Sequence, residues 1–190
     1  MSNDDLFRMV NDFARQTPWL HGPMTACASY GAVLFALLLV IGWWTARWHG
    51  PAVMAAAVWA PAGVLLAVAA DRPIALALDR PGPVTRLPHV LILMPDTPGV
   101  TGPSHHAAMA GAAAAGLFLV RRRLGMLAAG LAALMGLSLV YVGTHYPSEV
   151  LGGLLLGGII SSIGLVLAKV PLVAVVKRLR SGPLRPLMAA

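Results

Sequence analysis

Residues 24–46, MTACASYGAVLFALLLVIGWWTA, contain no charged side chain and end in a group of tryptophans that Trp48 continues. A helix needs roughly 20 mostly apolar residues to cross the hydrocarbon core of a bilayer, and tryptophan is enriched where such a helix meets water. The whole chain has the same character, with 58% hydrophobic and 11% charged residues, against about 45–50% and about 25% in a typical soluble domain. This composition excludes a soluble domain, a disordered chain and a collagen-like repeat, and it predicts a membrane protein.

Four further apolar stretches follow the first, at residues 51–70, 105–120, 124–143 and 150–168. Before the first span, Leu6, Met9, Val10 and Phe13 recur at helical spacing and predict an amphipathic helix on the membrane surface. The fold class is therefore all-α, a polytopic membrane bundle of about five transmembrane helices with an N-terminal interfacial helix. The expected organisation is an interfacial helix over residues 1–23, a transmembrane domain over 24–170 and a basic cytoplasmic tail over 171–190.

A proline-rich segment separates the second span from the third. Prolines stand at positions 81, 83, 88, 95, 98 and 103, and a helix cannot run through so many of them. We expect a long ordered loop here, and loops of that length inside compact domains are usually functional.

The charges indicate the orientation of the bundle. Five spans would place nine of the fourteen basic residues on one side, at positions 47, 121, 122, 123, 169, 177, 178, 180 and 185. All seven acidic residues, at positions 4, 5, 12, 71, 79, 96 and 149, fall on the other side. The positive-inside rule makes the basic side cytoplasmic. The net charge of +7 is then explained by topology and by contact with anionic headgroups, which argues against nucleic acid as a partner.

Three polar clusters fall on the predicted outer face. They are Asp79-Arg80-Pro81, Pro103-Ser104-His105-His106, and residues 143–149, GTHYPSE. Three separate segments that reach one membrane face could form a single site.

The second cluster has the character of a helix start. Ser104 after Pro103 is a typical N-cap, and the free N–H groups of a helix start suit a phosphate or another anion. His106 would then face the bound group. Taken alone, the cluster fits equally well a Ser104 that merely caps the helix and two histidines among wet headgroups.

The third cluster pairs a histidine with a carboxylate. Glu149, in the first turn after Pro147, could fold back and accept a proton from one ring nitrogen of His145, which leaves the other nitrogen free as a nucleophile. A tight turn with surface polar residues is the simpler alternative. Arg80 could form paired hydrogen bonds to phosphate oxygens, or it could be a local partner of Asp79 or an interfacial anchor.

Together these residues resemble the type 2 phosphatidic acid phosphatase (PAP2) superfamily of membrane lipid phosphatases. The family pattern reads Lys-x6-Arg-Pro, then Pro-Ser-Gly-His, then Ser-Arg-x5-His-x3-Asp. Here the matching residues are Arg80-Pro81, then Pro103-Ser104-His105-His106, then Ser138-Leu139-x5-His145-x3-Glu149. The short five-span form looks most like the bacitracin-resistance type of undecaprenyl diphosphate phosphatase.

The resemblance implies a catalytic role for three residues. His145 would be the nucleophile that forms a phosphohistidine, Glu149 would orient it, and His106 would be the general acid. The phosphoryl group would be held by Arg80, Ser104 and the backbone N–H of His105, and no metal or other cofactor is implied.

Three positions depart from the family pattern. Pro73 replaces the lysine, although Arg72 could reach the same place. His105 replaces the glycine, and Leu139 replaces the phosphate-binding arginine. The loss of one preorganised donor typically costs about 10²–10³ in rate, so Leu139 is the most serious departure.

We therefore expect a lipid phosphatase of a bacterial-type plasma membrane, with its site on the extracytoplasmic side and a polyprenyl diphosphate or phosphate as substrate. Phosphatidic acid or another lipid phosphate would satisfy the same physics. The competing hypothesis is a catalytically impaired relative that only binds a lipid phosphate, and Leu139 favours it. Glycine-rich helix faces would also permit a homodimer.

Overall fold

The computed structural model of the chain describes residues 2–78, 80–94 and 100–189. Its elements, in chain order, are α1 (Asn3–Gln16), α2 (His21–Ala46), α3 (Pro51–Leu78), β1 (Arg80–Pro81), α4 (Pro83–Arg86), β2 (Val100–Thr101), α5 (His105–Val120), α6 (Arg122–Tyr141), α7 (Pro147–Arg180) and α8 (Arg185–Met188). A 3-10 turn, Pro18–Leu20, joins α1 to α2. The structure confirms the expected all-α bundle.

Four helical segments in the described part of the chain are long and apolar enough to cross a membrane, namely Pro18–Ala46, Pro51–Leu78, Arg122–Tyr141 and Pro147–Arg180. The fifth expected span is α5, which has the predicted bounds but only 16 residues. At 1.5 Å per residue it is roughly 24 Å long, shorter than the hydrocarbon core of a bilayer. It lies at the centre of the bundle, where it packs against α3, α6 and α7.

Small residues allow α5 to lie against its neighbours. Most of its alanines and its two glycines are buried. On α7, a Cβ atom added at Gly157 would collide with the carbonyl of Ala108. Close approach of this kind is how helices pack inside membranes, where lipid tails remove the hydrophobic driving force. The small-residue face of α5 therefore brings the start of α5 next to the start of α7.

The described residues of the proline-rich segment form short regular elements. The strands β1 and β2 form a short antiparallel pair with Arg80 opposite Thr101, which holds the two ends of the segment together beside the start of α5. One turn of helix, α4, follows β1. Residues 95–99, with the predicted loop prolines at 95 and 98, lie outside the described residues, as does Asp79.

The end of α6 supports the described part of this loop. The Leu93 N–H donates a hydrogen bond of 3.0 Å to the carbonyl of Val142. Gly143 follows with a φ of +86°, a conformation that costs glycine little. A Cβ atom at Gly143 would also collide with the carbonyl of Leu91, so both the turn and the loop contact require glycine there.

The N-terminal helix α1 packs on the protein with one face and leaves another open. Its buried residues are Phe7, Asn11 and Ala14. The Asn11 side chain donates to the carbonyl of Leu91 at 2.8 Å and accepts the Leu91 N–H at 2.9 Å. Met9 and Phe13, from the face expected to meet the membrane, are more than half exposed. The helix α1 therefore holds the loop by hydrogen bonds and still exposes apolar side chains on another face.

At the other end of the bundle, α7 continues to Arg180 through Pro171. The expected tail over residues 171–190 therefore begins inside this helix. Its end is held in place by Val176, which is buried beside Ala46 and Met54. The Arg180 side chain also donates to the carbonyl of His49 at 2.6 Å.

Candidate active site

The turn between α6 and α7 presents His145 to the site. Its Nδ1 lies 3.1 Å from Oε2 of Glu149, which stands in the first turn of α7. The same Oε2 accepts the backbone N–H of Tyr146 at 3.1 Å. Because a carboxylate can only accept, Nδ1 carries the shared proton. The pairing proposed from the spacing is present, and it leaves Nε2 as the ring nitrogen that this hydrogen bond does not use.

The second cluster is joined to the third through the backbone. The Ser104 N–H donates to the carbonyl of Glu149 at 3.0 Å. Close helix packing supports this contact, since a Cβ atom at Gly153, one turn further along α7, would lie 2.5 Å from the carbonyl oxygen of Ser104. The starts of α5 and α7 are therefore held side by side.

Ser104 stands at the N-cap of α5, but its side chain makes no capping hydrogen bond. The residue is fully buried, and its Oγ has no hydrogen-bond partner among the described residues. Ser104 is therefore the N-cap residue that the sequence predicted, although its hydroxyl does not bond to the backbone of the helix. Burial of an unpaired hydroxyl costs free energy, and the cost is recovered when a ligand accepts its hydrogen bond. The position fits a phosphate oxygen at the α5 N-terminus.

The two histidines after Ser104 lie against each other. The ring centroids of His105 and His106 are 3.9 Å apart, with 40° between the ring planes. His105 is exposed and His106 is half-buried. His106 stands in the first turn of α5, and the N-cap of α5 is hydrogen-bonded to Glu149 in the first turn of α7. The residues to which the family resemblance assigns the nucleophile and the general acid therefore lie on adjoining elements.

The arginines at this end of the bundle differ in where they lie relative to the start of α5. The backbone of Arg80 lies in β1 opposite Thr101, near the start of α5, while its side chain lies outside the described part. Arg72 is exposed, and within the described ranges no hydrogen bond or ion pair connects it to the other candidates. Arg86, considered as a substitute cation, lies 3.7 Å from Asp4 of α1.

Leu139 is buried in the apolar core of the bundle, with 2% of its surface exposed. Its carbonyl accepts a hydrogen bond of 3.1 Å from the hydroxyl of Thr144. The side chain offers no donor to a phosphate, so the chain lacks the cation that the family pattern has at this position.

Asp71 is a buried carboxylate that the sequence analysis did not single out. It lies on α3 with 9% of its surface exposed. Its Oδ1 has no hydrogen-bond partner in the described structure. The available signal was an ionisable residue next to an apolar span, which in a membrane protein indicates function. The expected span ended at residue 70, whereas α3 continues to Leu78 and so carries Asp71 inside the bundle.

The helix α1 covers the third cluster from outside. The rings of Phe7 and Tyr146 pack with centroids 5.4 Å apart, and the Ser148 N–H donates to Asn3 Oδ1 at 3.2 Å. Burial raises the pKa of Tyr146 to about 12, so this hydroxyl stays neutral at physiological pH and adds no negative charge beside His145.

The chain is similar to one family profile, to one relative by sequence and to one solved structure. The profile of the PAP2 superfamily matches residues 56–170, which include every candidate residue from Asp71 to Glu149. A bacitracin transport permease protein, BcrC, from Bacillus licheniformis is 27% identical over 155 residues, which are 82% of this chain and 75% of the relative. The crystal structure of Aquifex aeolicus LpxE has a TM-score of 0.70 at 26% identity and covers 85% of this chain and 93% of its own.

Proposed function

This chain belongs to the PAP2 superfamily of lipid phosphatases, and we propose that it hydrolyses a polyprenyl diphosphate or phosphate at the extracytoplasmic face of the plasma membrane. The observation that carries the proposal is the His145–Glu149 pair, because the carbonyl of Glu149 accepts the backbone N–H of Ser104 and the buried hydroxyl of Ser104 has no partner among the described residues. This arrangement supports a nucleophile at His145 beside a phosphate-binding position at Ser104.

The reaction proceeds in two steps. Nε2 of His145 attacks phosphorus, the bond to the leaving phosphate oxygen breaks, and His106 donates a proton to that oxygen. Glu149 holds the Nδ1 proton and stabilises the positive imidazole ring of the phosphohistidine. Water then attacks the phosphohistidine and gives a proton back to His106, and inorganic phosphate leaves.

The transferring phosphoryl group is held by Ser104 Oγ, the His105 N–H and Arg80. Donors fixed before the reaction stabilise the negative charge that develops on the phosphoryl oxygens. Burial of Ser104 strengthens this effect because water does not compete for the hydrogen bond.

The choice of a polyprenyl substrate is supported by the similarity to the bacitracin-resistance type of phosphatase and by the Bacillus licheniformis relative, whose name refers to bacitracin. A long isoprenoid chain would stay in the bilayer while its diphosphate reaches a site at the headgroup level. In a bacterial cell wall pathway this activity would recycle the lipid carrier. Phosphatidic acid remains the second candidate substrate, and a homodimer remains a prediction.

The test is phosphate release by the purified protein in detergent, from undecaprenyl diphosphate and from phosphatidic acid. We expect the wild type to release phosphate faster from undecaprenyl diphosphate, and His145→Ala to release it at the background rate from both. The control is His49→Ala, because His49 lies at the opposite end of the bundle. Equal background release by the wild type and His145→Ala on both lipids would favour the impaired, lipid-binding alternative.

A further inference from the structure

A groove lies between the first turn of α3 and the last turns of α7, at the end of the bundle opposite to the candidate active site. Its larger part has a volume of about 590 Å³ and is lined by Ala52 and by α7 between Lys169 and Lys177. Its smaller part, of about 230 Å³, shares Ala52 and Lys169 and continues to Leu119 and Ser162. The groove therefore runs from the end of the bundle towards its middle.

The length of α7 shows how deep in the membrane each part of the groove lies. The helix starts at Pro147, beside the candidate active site. At about 1.5 Å per residue, Ser162 stands roughly 22 Å and Lys169 roughly 33 Å further along the helix. The hydrocarbon core of a bilayer is about 30 Å thick. With the start of α7 in one headgroup layer, the two lysines therefore reach the opposite headgroup layer, while Ser162 lies among acyl chains.

The two lysines of the groove have no partner within the described ranges. Both are exposed, and neither makes a hydrogen bond or an ion pair there. Other basic residues at this end do have partners. Arg180 donates to the carbonyl of His49 at 2.6 Å, and the guanidinium carbon of Arg47 lies 4.5 Å from the ring centroid of Trp44. The lysines are thus the cations of this end that line an open space.

The parts of α3, α5 and α7 that line the groove carry no carboxylate. The sequence has no Asp or Glu in residues 13–70, 105–148 or 150–190. A positive charge at the edge of a low-dielectric layer attracts an anion strongly, and the anions of a membrane surface are lipid headgroups. The groove therefore favours a lipid phosphate as the partner of its lysines.

We propose that the groove binds one anionic phospholipid from the leaflet opposite to the candidate active site. Its phosphate lies between Lys169 and Lys177, and an acyl chain follows the apolar part of the groove past Val166 to Leu119. The lysines stand roughly 12 Å apart along α7, and their long flexible stems bring both ammonium groups towards one phosphate. Basic pockets between transmembrane helices bind phospholipid headgroups in this manner. The inference concerns a second site and does not depend on the reaction proposed at His145.

The bound lipid would stabilise a weak part of α7. Pro171 stands inside this helix between the two lysines. Because proline has no N–H, the carbonyl of Leu167 loses its helical hydrogen bond. A lipid in contact with both α3 and α7 holds this part of α7 against the bundle. Since such a lipid binds only the folded protein, it should raise the melting temperature.

The first experiment measures the melting temperature of the purified protein in a neutral detergent with one of three additives. We expect phosphatidylglycerol to raise it and phosphatidylcholine and inorganic phosphate to leave it unchanged. Phosphatidylcholine has acyl chains but no net charge, and inorganic phosphate has charge but no acyl chain. Phosphatidylglycerol is a phosphodiester, so it lacks the terminal phosphate that the proposed reaction removes.

The second experiment locates the lipid by titrating variants with phosphatidylglycerol in native mass spectrometry. The double variant Lys169→Gln, Lys177→Gln should bind roughly 30-fold more weakly, about fivefold for each lysine. The matched control is Arg122→Gln, Arg123→Gln, which removes the same charge from exposed positions at the same end but outside the groove. It should bind as the wild type does. Ala52→Phe keeps both lysines and fills the groove, so it should also weaken binding.

Three results would overturn the inference. The first is an equal rise in melting temperature with phosphatidylcholine or inorganic phosphate. The second is an equal loss of affinity in the two double variants, which would indicate unspecific attraction to the basic end. The third is unchanged affinity of Ala52→Phe. If the lysine variant does not fold, Ala52→Phe and the three additives decide. Phosphate release is measured in neither experiment, so the proposed function stands or fails separately.

Discussion

Leu139 holds the position at which the PAP2 pattern has a phosphate-binding arginine, and its side chain is buried among apolar neighbours. The surroundings of this residue have adapted to a neutral side chain. The proposed phosphate site therefore depends on Arg80 and on the N–H groups at the start of α5.

Restoring the arginine at this position should harm the protein. We expect Leu139→Arg to lower the melting temperature and to give no gain in phosphate release, because an unpaired buried charge typically costs several kcal/mol. Leu139→Met, which conserves volume, should cost less than about 1.5 kcal/mol and keep its activity. Thermal melts and phosphate release in detergent would check both variants. A large increase in the rate of Leu139→Arg would contradict this reasoning and identify a site weakened by the missing arginine.

Single residues differ in how far the sequence could predict them. The His145–Glu149 pair could be predicted because the two residues are only four positions apart at the start of α7, so that local chain geometry sets their distance. The burial of Asp71 could not, because it depends on α3 continuing through Pro73 and on where α5 lies beside it. The free hydroxyl of Ser104 was also missed, since the identity of a cap residue does not reveal which way its side chain points.

At the scale of elements, the contact between α5 and α7 positions the chemistry. The N–H of Ser104 reaches the carbonyl of Glu149 because Gly153 lets the two helices approach. A glycine at such a contact controls distances between residues on two different helices, even though it touches no substrate itself.

Gly153→Ala should therefore move the start of α5, which carries Ser104, away from the start of α7, which carries Glu149. Its Cβ would lie 2.5 Å from the Ser104 carbonyl oxygen and 2.9 Å from the Ala107 Cβ, so the start of α5 must shift. Overpacking of this kind typically costs about 1–3 kcal/mol, and a displacement of about 1 Å can cost roughly 10²-fold in rate. The measurements are the melting temperature and kcat.

Gly152→Ala is the matched control, since an added Cβ there meets nothing within 4 Å. It should leave kcat unchanged and stabilise α7 slightly, because alanine favours a helix. Equal effects of the two substitutions would show that helix propensity, and not the contact with Ser104, is responsible.

The helices themselves were predictable because each is a long apolar run, but their ends were less so. The expected spans ended at residues 70 and 168, whereas α3 continues through Pro73 to Leu78 and α7 continues through Pro171 to Arg180. Inside a bundle, neighbouring helices can compensate for the backbone hydrogen bond that a proline removes. Local sequence therefore does not fix where such a helix stops.

At the scale of the whole molecule, the two ends of the bundle differ in charge and in chemistry. The site lies where α3 and α6 end and where α5 and α7 begin, while the α5–α6 turn at Arg121 lies at the opposite end. Large apolar side chains on the outer helix faces, such as Leu65, Leu155 and Val170, are well exposed. Such faces are suited to lipid, since water would disfavour so much exposed apolar surface.

The proposed orientation can be tested by labelling. In a Cys27→Ala background, we expect Ser148→Cys, at the exposed start of α7, to react with a membrane-impermeant maleimide in intact cells. Lys177→Cys, near the other end of the same helix, should react only after the membrane is permeabilised, because the proposed orientation puts the basic end in the cytoplasm. The readout is the gel shift of each variant. Labelling of Lys177→Cys alone in intact cells would reverse the orientation and place the site on the cytoplasmic side.

The sequence by itself determined that this is a helical membrane protein of the PAP2 type, because apolar run length and motif spacing are properties of the chain alone. It also determined the His145–Glu149 pair. Only the tertiary structure decided that Asp71 is buried and that the buried hydroxyl of Ser104 has no hydrogen-bond partner among the residues the structure describes. The reason is physical, since burial and electrostatic contact depend on which helices lie side by side, and small residues on α5 and α7 set those distances.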